Sequence, residues 1–367
     1  MVTHISGHKS SVLRGSKVLF ECSDGSVVVS KFNKIYKASG NELEVICSLP
    51  IPWVLKILAY SKIIYRALRL GVRASVEYKG SYYFVFNSRI YRYDTYNGSL
   101  SVDFVFQGSR GPLSFLVLDG FPDFDDGLCF GEYLGNHKKN PVSVYFRKDK
   151  WVNVHTFNEG ELNHIHSMVS DPYRNLVWLL AGDFGNSAAI YAFSNNFNGI
   201  SRVVSGSQKY RACVAFPVPE GLLYATDTQI QKNSIRMLKK QGGEWRSDHL
   251  YDLNGPCIYG SDIKDYFVFS TSTEPGESAK NRLHALLDNK PGAGIVSNKS
   301  DIVCVSKKEL SFFLVHSAKK DILPYRLFQF GAIIFPAGKI NKNVIYAYQV
   351  GSISNDLNTV VINIGRL

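Results

Sequence analysis

SVVVSKFNKIYKASGNELEVICSLP (residues 26–50) and SYYFVFNSRIYRYDTYNGSLSVDFVF (residues 81–106) decide the fold. Each is a succession of short runs of Val, Ile, Phe and Tyr broken by Gly, Asn and Asp turns, with nearly the same hydrophobic register. Branched and aromatic side chains between turn formers read as strands and hairpins. The pattern continues as GLCFGEY with VSVYFRKDKWVNVHTF, NLVWLLAGD with AAIYAFSNNFNGISRVV, and GLLYATD with SIRMLKKQGGEWRSDHLY. DYFVFSTSTE with RLHALL, and AIIFPAG with VIYAYQVGS and NTVVINI, complete it. Helix-period segments are almost absent.

Polar residues close the second strand of successive units: Asn87, Glu132, Asp183, Asp227 and Ser272, separated by 45, 51, 44 and 45 residues. Four-stranded propeller blades repeat at about 40–50 residues, whereas other solenoids of that period are helical. Adding SVVVSKF near Ser30 and AIIFPAG at Ala337 gives seven units, with longer connections before the second and the seventh. The expectation is an all-β chain, a single propeller domain over residues 1–367 with seven blades. Six is the alternative count, because the connection 287–330 could hide or counterfeit a blade. A Greek-key sandwich has no reason to repeat polar strand ends at this period.

The 367 residues are 45% hydrophobic and 20% charged, so the chain can bury a core without help from metal or disulfide. No run approaches the roughly 18–20 apolar residues of a spanning helix, and residues 1–16 lack a secretory apolar region, so a cytoplasmic protein is expected. Cys22, Cys47, Cys129, Cys213, Cys257 and Cys304 show no ligand spacing and read as reduced core thiols. Forty-two Lys and Arg against 31 Asp and Glu give +11, a field that favours acidic glycans, lipid headgroups or nucleic acid. Without a Lys/Arg block, zinc-finger spacing or RNP-type motif, nucleic acid is not expected as a partner.

Asp94 with Gly98, Asp149 with Trp151, and Gly242, Gly243 with Trp245 mark outer-hairpin turns of eroded Asp-box form. There a carboxylate closes the turn on backbone N–H groups and glycine supplies the left-handed conformation. Residues 51–70, IPWVLKILAYSKIIYRALRL, break the strand pattern. Leu55, Leu58, Ala59, Ile63 and Leu70 fall at helical spacing, edged by Lys56, Lys62, Arg66 and Arg69. This insertion reads as a basic amphipathic helix, either packed on the propeller with its cations solvated or lying on an anionic membrane surface.

Polar side chains on inner strands and the loops leaving them converge at one mouth of a propeller, the default ligand site. His164 and His166 in NHIHS lie two apart on an inner strand, so both imidazoles share a face. They could hold a divalent metal with Asp183 or Glu132, or serve as general acid and base beside Tyr133 or Tyr210. Arg110 and Arg211, each after a Gly-Ser pair, suit bidentate grip on a carboxylate. Gln208, Asp227, Asn136 and Glu274 complete the candidate substrate contacts. Each taken alone is as readily a turn or cap partner. Asp183, Asp227, Glu132 and Glu274 could supply the paired carboxylates of a glycosidase. A tyrosine with histidine and arginine would instead suit β-elimination from a uronic acid.

QGSRGPL, FGEYLGN, HIHSMVSDPYRNLVWLLAGD, GSQKYRA and FGAIIFPAG resemble segments of a family of bacterial and archaeal BNR/Asp-box, sialidase-like propellers. Its members are met beside capsule and exopolysaccharide biosynthesis genes. The first and third Asp-boxes are degraded here, Tyr210 stands where Trp is commoner, and the three-arginine site of sialidases does not map onto this chain. The resemblance implies a propeller in a glycan context and supplies no reaction.

The combined expectation is a propeller that binds or cleaves an acidic surface polysaccharide or a lipid-linked oligosaccharide, leaning to a glycoside hydrolase or polysaccharide lyase. The sequence requires no cofactor, and a divalent metal is an option only at His164 and His166. The competing expectation is a non-catalytic scaffold whose rim is presented to glycosyltransferases, with the helix at 51–70 docking it at the inner membrane.

Overall fold

Val27–Lys31 is flanked by Lys17–Glu21 and Lys34–Ser39, and Glu42–Ser48 completes an antiparallel sheet of four in chain order. A computed structural model describes residues 3–4, 10–40, 42–276 and 286–365. The same unit recurs to make a seven-bladed β-propeller. The second strands Ser81–Phe86, Gly127–Gly131, Gly221–Thr226 and Tyr266–Thr271 are buried along their whole length. A strand packed on both faces has no polar side to show, so it reads as a continuous apolar run. Fourth strands such as Ser99–Val105 are instead exposed or half-buried along their whole length.

Blades two to five are each built from four consecutive strands, beginning at Ser75, Leu116, Ile165 and Ala212. In the seventh blade, Ala332–Ile334, Val344–Val350 and Thr359–Asn363 take Ser10–Leu13 from the start of the chain as the outermost strand. This pairing ties the two ends of the chain together. The connection 287–330 is not a loop: Lys299–Ser306 and Phe312–Lys319 are the third and fourth strands of the sixth blade. An insertion after Thr271 separates them from their partners along the chain. Most of RLHALL (residues 282–287), expected in that place, lies outside the described residues, and Leu286 and Leu287 are not in a strand.

The chain divides into two compact units. One comprises the described residues up to Val72, with 229–232 and 253–365; the other comprises 73–228 and 233–252. Within the second unit, Leu128 and Phe130 pack with Val85 and Ile90, Val144 with Leu179, and Trp178 with Tyr224, so apolar clusters bind each blade to the next. Within the first, Val268 and Cys304 pack with Ile333 and Ile345. At the turn after Arg89–Asp94, Asp94 Oδ1 accepts the Tyr96 N–H at 2.9 Å, and Gly98 has φ 68°. Trp245 meets Trp178 edge to face at 5.3 Å.

The helical insertion at 51–70 is made of two short helices, Trp53–Leu58 and Lys62–Ala67. Ser61 interrupts it and caps the second helix, its Oγ accepting the Ile64 N–H at 3.4 Å. Arg66 is not a solvated edge cation. It is 2% exposed, paired with Asp321 and, at 3.4 Å, with Asp356, and its Nε donates to the Phe328 carbonyl at 2.8 Å. No helix among the described residues is long and apolar enough to cross a membrane.

Candidate functional site

The inner strand Ile165–Asp171 pairs with Leu176–Ala181, and its register slips between Ile165 and Ser167, placing a bulge on His166. The inner strand Ala212–Val218 of the next blade slips between Ala212 and Val214, placing the equivalent bulge on Cys213. A bulge re-aims the extra side chain. Residues before these strands also correspond: the His164 carbonyl accepts the Gly182 N–H at 3.0 Å, and the Arg211 carbonyl accepts the Asp227 N–H at 3.0 Å. Adjacent blades thus present equivalent positions, filled by His164 and His166 in one and by Arg211 and Cys213 in the other.

These side chains form one buried cluster with Asp183 and Asp227. His164 Nε2 lies 2.9 Å from His166 Nε2. Asp183 Oδ1 lies 3.4 Å from the first, 3.7 Å from the second and 3.2 Å from Arg211 Nη2. Arg211 Nη2 is also 3.5 Å from Asp227 Oδ2, which accepts the Cys213 thiol at 3.2 Å. Gln208 Nε2 holds the Asp183 backbone carbonyl at 2.7 Å. Tyr133 lies against His164 at 4.3 Å between ring centroids, and the Arg73 guanidinium sits 5.2 Å from the Tyr133 ring centroid. Phe184, more than a third exposed, carries the Arg211 guanidinium at 5.2 Å. Asp183 is the partly exposed carboxylate, at 24%, against 5% for Asp227.

Proton bookkeeping constrains the pair of histidines. His164 Nδ1 is 3.1 Å from the Leu134 carbonyl and His166 Nδ1 is 2.8 Å from the Ala212 carbonyl. A carbonyl only accepts, so each Nδ1 carries hydrogen and each Nε2 of a neutral ring offers a lone pair. Two lone pairs facing at 2.9 Å require a proton or another cation between them. Burial pushes His164 below the ordinary histidine range despite Asp183, which disfavours a proton there. Burial also opposes charge on Asp183, but His164, His166 and Arg211 outweigh it and hold the carboxyl far below its ordinary range.

The donor set fits a divalent metal. A triangle with edges of 2.9, 3.4 and 3.7 Å has its centre about 2 Å from each corner, the length of a metal–imidazole bond. Imidazoles that ligate metal commonly donate the opposite N–H to a backbone carbonyl, as both do here. His166, Cys213 and Asp227 form a second group of ligand atoms within 4.8 Å of one another, sharing His166 with the first.

Other sequence candidates lie elsewhere or are satisfied locally. Glu132 Oε2 accepts the Ser143 N–H at 2.8 Å, and burial raises its carboxyl. Asn136 closes a turn on Asn140 through both its amide atoms. Arg110 is exposed and makes no ion pair among the described residues. Tyr210 ends a short 3-10 turn with the Lys209 ammonium 4.9 Å from its ring centroid. Glu274 belongs to the other unit, where it accepts Ser272 Oγ at 3.3 Å. Tyr133 is a phenol whose burial drives its ionisation far up, so it can donate hydrogen but is no base near neutrality. The sequence by itself does not single out Arg73, Phe184 or the polar role of Cys213. Only the Arg-Ala step shared by LGVRA and KYRA hints at Arg73.

No family model and no curated protein matches the chain. Solved structures of similar fold include the AfRom2 CNH domain, at 7% identity and TM-score 0.55 over 98% of this chain and 100% of that one. An oligogalacturonate lyase in complex with manganese is 8% identical, with TM-score 0.53 over 99% of both chains. An oligogalacturonate lyase from Vibrio parahaemolyticus is 8% identical, with TM-score 0.52 over 98% of this chain and 99% of that one. At these identities the likeness is one of fold.

Proposed function

We propose that the cluster around His164, His166, Asp183 and Arg211 is the binding site for an acidic saccharide, with a divalent cation held by the two histidines and Asp183. The observation that carries this reading is the meeting of the two Nε2 atoms at 2.9 Å while both Nδ1 atoms are committed to carbonyls. Bound there, the metal would supply Lewis-acid charge next to a substrate carboxylate. Arg211 and Arg73 add positive charge, the more exposed Phe184 offers a ring face for a sugar, and the Tyr133 hydroxyl can donate to a leaving oxygen. The chain's +11 charge favours an anionic ligand.

Between the two reaction classes, β-elimination from a uronate-containing glycan suits the cluster better than hydrolysis: the ionised, partly exposed Asp183 carboxylate would take the proton beside the substrate carboxylate, and the Tyr133 hydroxyl would give one to the leaving oxygen. Both of its carboxylates are engaged by Arg211, an arrangement fitted to holding cations rather than to protonating a glycosidic oxygen. The likeness in fold to oligogalacturonate lyases, one of them in complex with manganese, is consistent with this choice.

The test is calorimetric titration of the purified protein with Mn²⁺ and then with oligogalacturonate or another oligouronate, followed by ultraviolet detection of an unsaturated product. Saturable metal binding lost in His166→Ala, with oligouronate binding weakened in Arg211→Met, supports the reading. A wild-type protein that takes up neither metal nor oligouronate overturns it and favours a scaffold for polysaccharide-assembly enzymes.

A further inference from the structure

The two helices between the first and second blades turn their apolar side chains outward. Trp53, Val54, Ile57, Tyr60, Ile63 and Leu68 are exposed by 41–87%, six large apolar side chains within sixteen residues. A surface helix ordinarily turns such residues to the core and its cations to water. Here the deeply buried side chain is Arg66, held by Asp321, Asp356 and the Phe328 carbonyl. The buried ion cluster fixes which way the helices face. What remains outside is apolar.

The chemistry of that outer face selects its occupant. No Asp or Glu occurs from Val45 to Val76, while Lys56, Lys62 and Arg69 are all exposed. Trp and Tyr, with an apolar body and a polar tip, are suited to the boundary between headgroups and acyl chains, and lysines can keep their ammonium groups at headgroup level. Beside the helices lies a cavity of about 520 Å³, walled by Phe32, Tyr65, Tyr348 and Leu357 and carrying two cations, Arg14 and Lys62. A phosphate-bearing headgroup has the charge and size to enter it.

We propose that the segment 51–70 seats this protein on an anionic bilayer surface, with Trp53, Ile57 and Tyr60 entering the interface and Lys56, Lys62 and Arg69 meeting acidic headgroups. The inference does not rest on the saccharide reading.

The experiment is co-sedimentation of the full chain with vesicles of phosphatidylcholine alone and of phosphatidylcholine mixed in equal parts with phosphatidylglycerol. Binding to the mixed vesicles only is expected, falling about fivefold for each of Lys56→Ala and Lys62→Ala. Ile57→Asp should abolish it, and Tyr96→Ala, an exposed aromatic of another blade, should leave it unchanged. Failure to bind mixed vesicles, or binding indifferent to Ile57→Asp, overturns the proposal. So does a wild-type dimer that Ile57→Asp converts to monomer without any vesicle binding, which would assign the face to a second copy of the chain.

Discussion

The imidazoles of His164 and His166 meet Nε2 to Nε2 at 2.9 Å, each ring anchored from behind by a backbone carbonyl. Free neutral histidine carries its hydrogen mainly on Nε2, so these rings are held in the less common tautomer. In ¹⁵N spectra both should report a protonated Nδ1, and addition of Zn²⁺ should move the Nε2 resonances and leave Nδ1–H intact. Two rings protonated on Nε2 would remove the basis for a shared cation.

Gly182 precedes Asp183 and donates its N–H to the His164 carbonyl, with φ +72°. A Cβ added there would fall 1.7 Å from the Ser187 carbonyl oxygen, whereas at Gly185, with φ +56°, it would meet nothing within 4 Å. Gly185→Ala should cost about 1 kcal/mol, the strain of a left-handed alanine. Gly182→Ala should cost several-fold more, because backbone must move, and should also abolish metal uptake. Chemical denaturation and metal titration of the two variants read this contrast; equal losses would contradict it.

Arg66 supplies charge to two aspartates from a side chain that is 2% exposed. Removing one partner of a buried ion cluster leaves the others uncompensated, which typically costs about 3–5 kcal/mol. Arg66→Ala should lose that much in urea unfolding, towards the lower figure because Lys320 also pairs with Asp321. A loss under about 1 kcal/mol would show that the cluster relaxes to solvent.

Tyr65 is pushed up to about 12 by burial, partly offset by its hydrogen bond with Tyr348. The unfolded chain releases this proton from about pH 10, while the folded chain keeps it. The contribution is therefore complete below pH 10 and is lost as pH rises towards 12, amounting to about 2 kcal/mol. Tyr65→Phe should flatten the alkaline limb of the stability curve relative to the parent protein. An unchanged limb would place the hydroxyl in contact with water.

The ends of the second strands are legible in the sequence. Asn87, Glu132, Asp183, Asp227 and Ser272 each fall within two residues of the end of a second strand. Those strands are packed on both faces and are mostly apolar, so the polar residues at their boundaries stand out in the chain. The outer strands of the sixth blade are not legible in this way, because Lys299–Ser306 is parted from Tyr266–Thr271 by an insertion longer than any hairpin. Arg66 is equally opaque: at helical spacing beside Lys62 and Arg69 it reads as one more surface cation, and its two aspartates lie more than 250 residues away.

Taken alone, the order of residues determined the strand content, the blade period and the basic charge, since each is a property of neighbours along the chain. It also put His164 and His166 two residues apart at the head of one inner strand, which begins at Ile165. Tertiary structure alone decided that their rings meet, that Cys213 takes the equivalent bulge in the next blade, and that Arg211 reaches both Asp183 and Asp227. It likewise turned the 51–70 helices apolar side out. These outcomes depend on bulges, on the register between strands and on the packing of neighbouring sheets, which are set by contacts between distant residues and leave no period in the sequence.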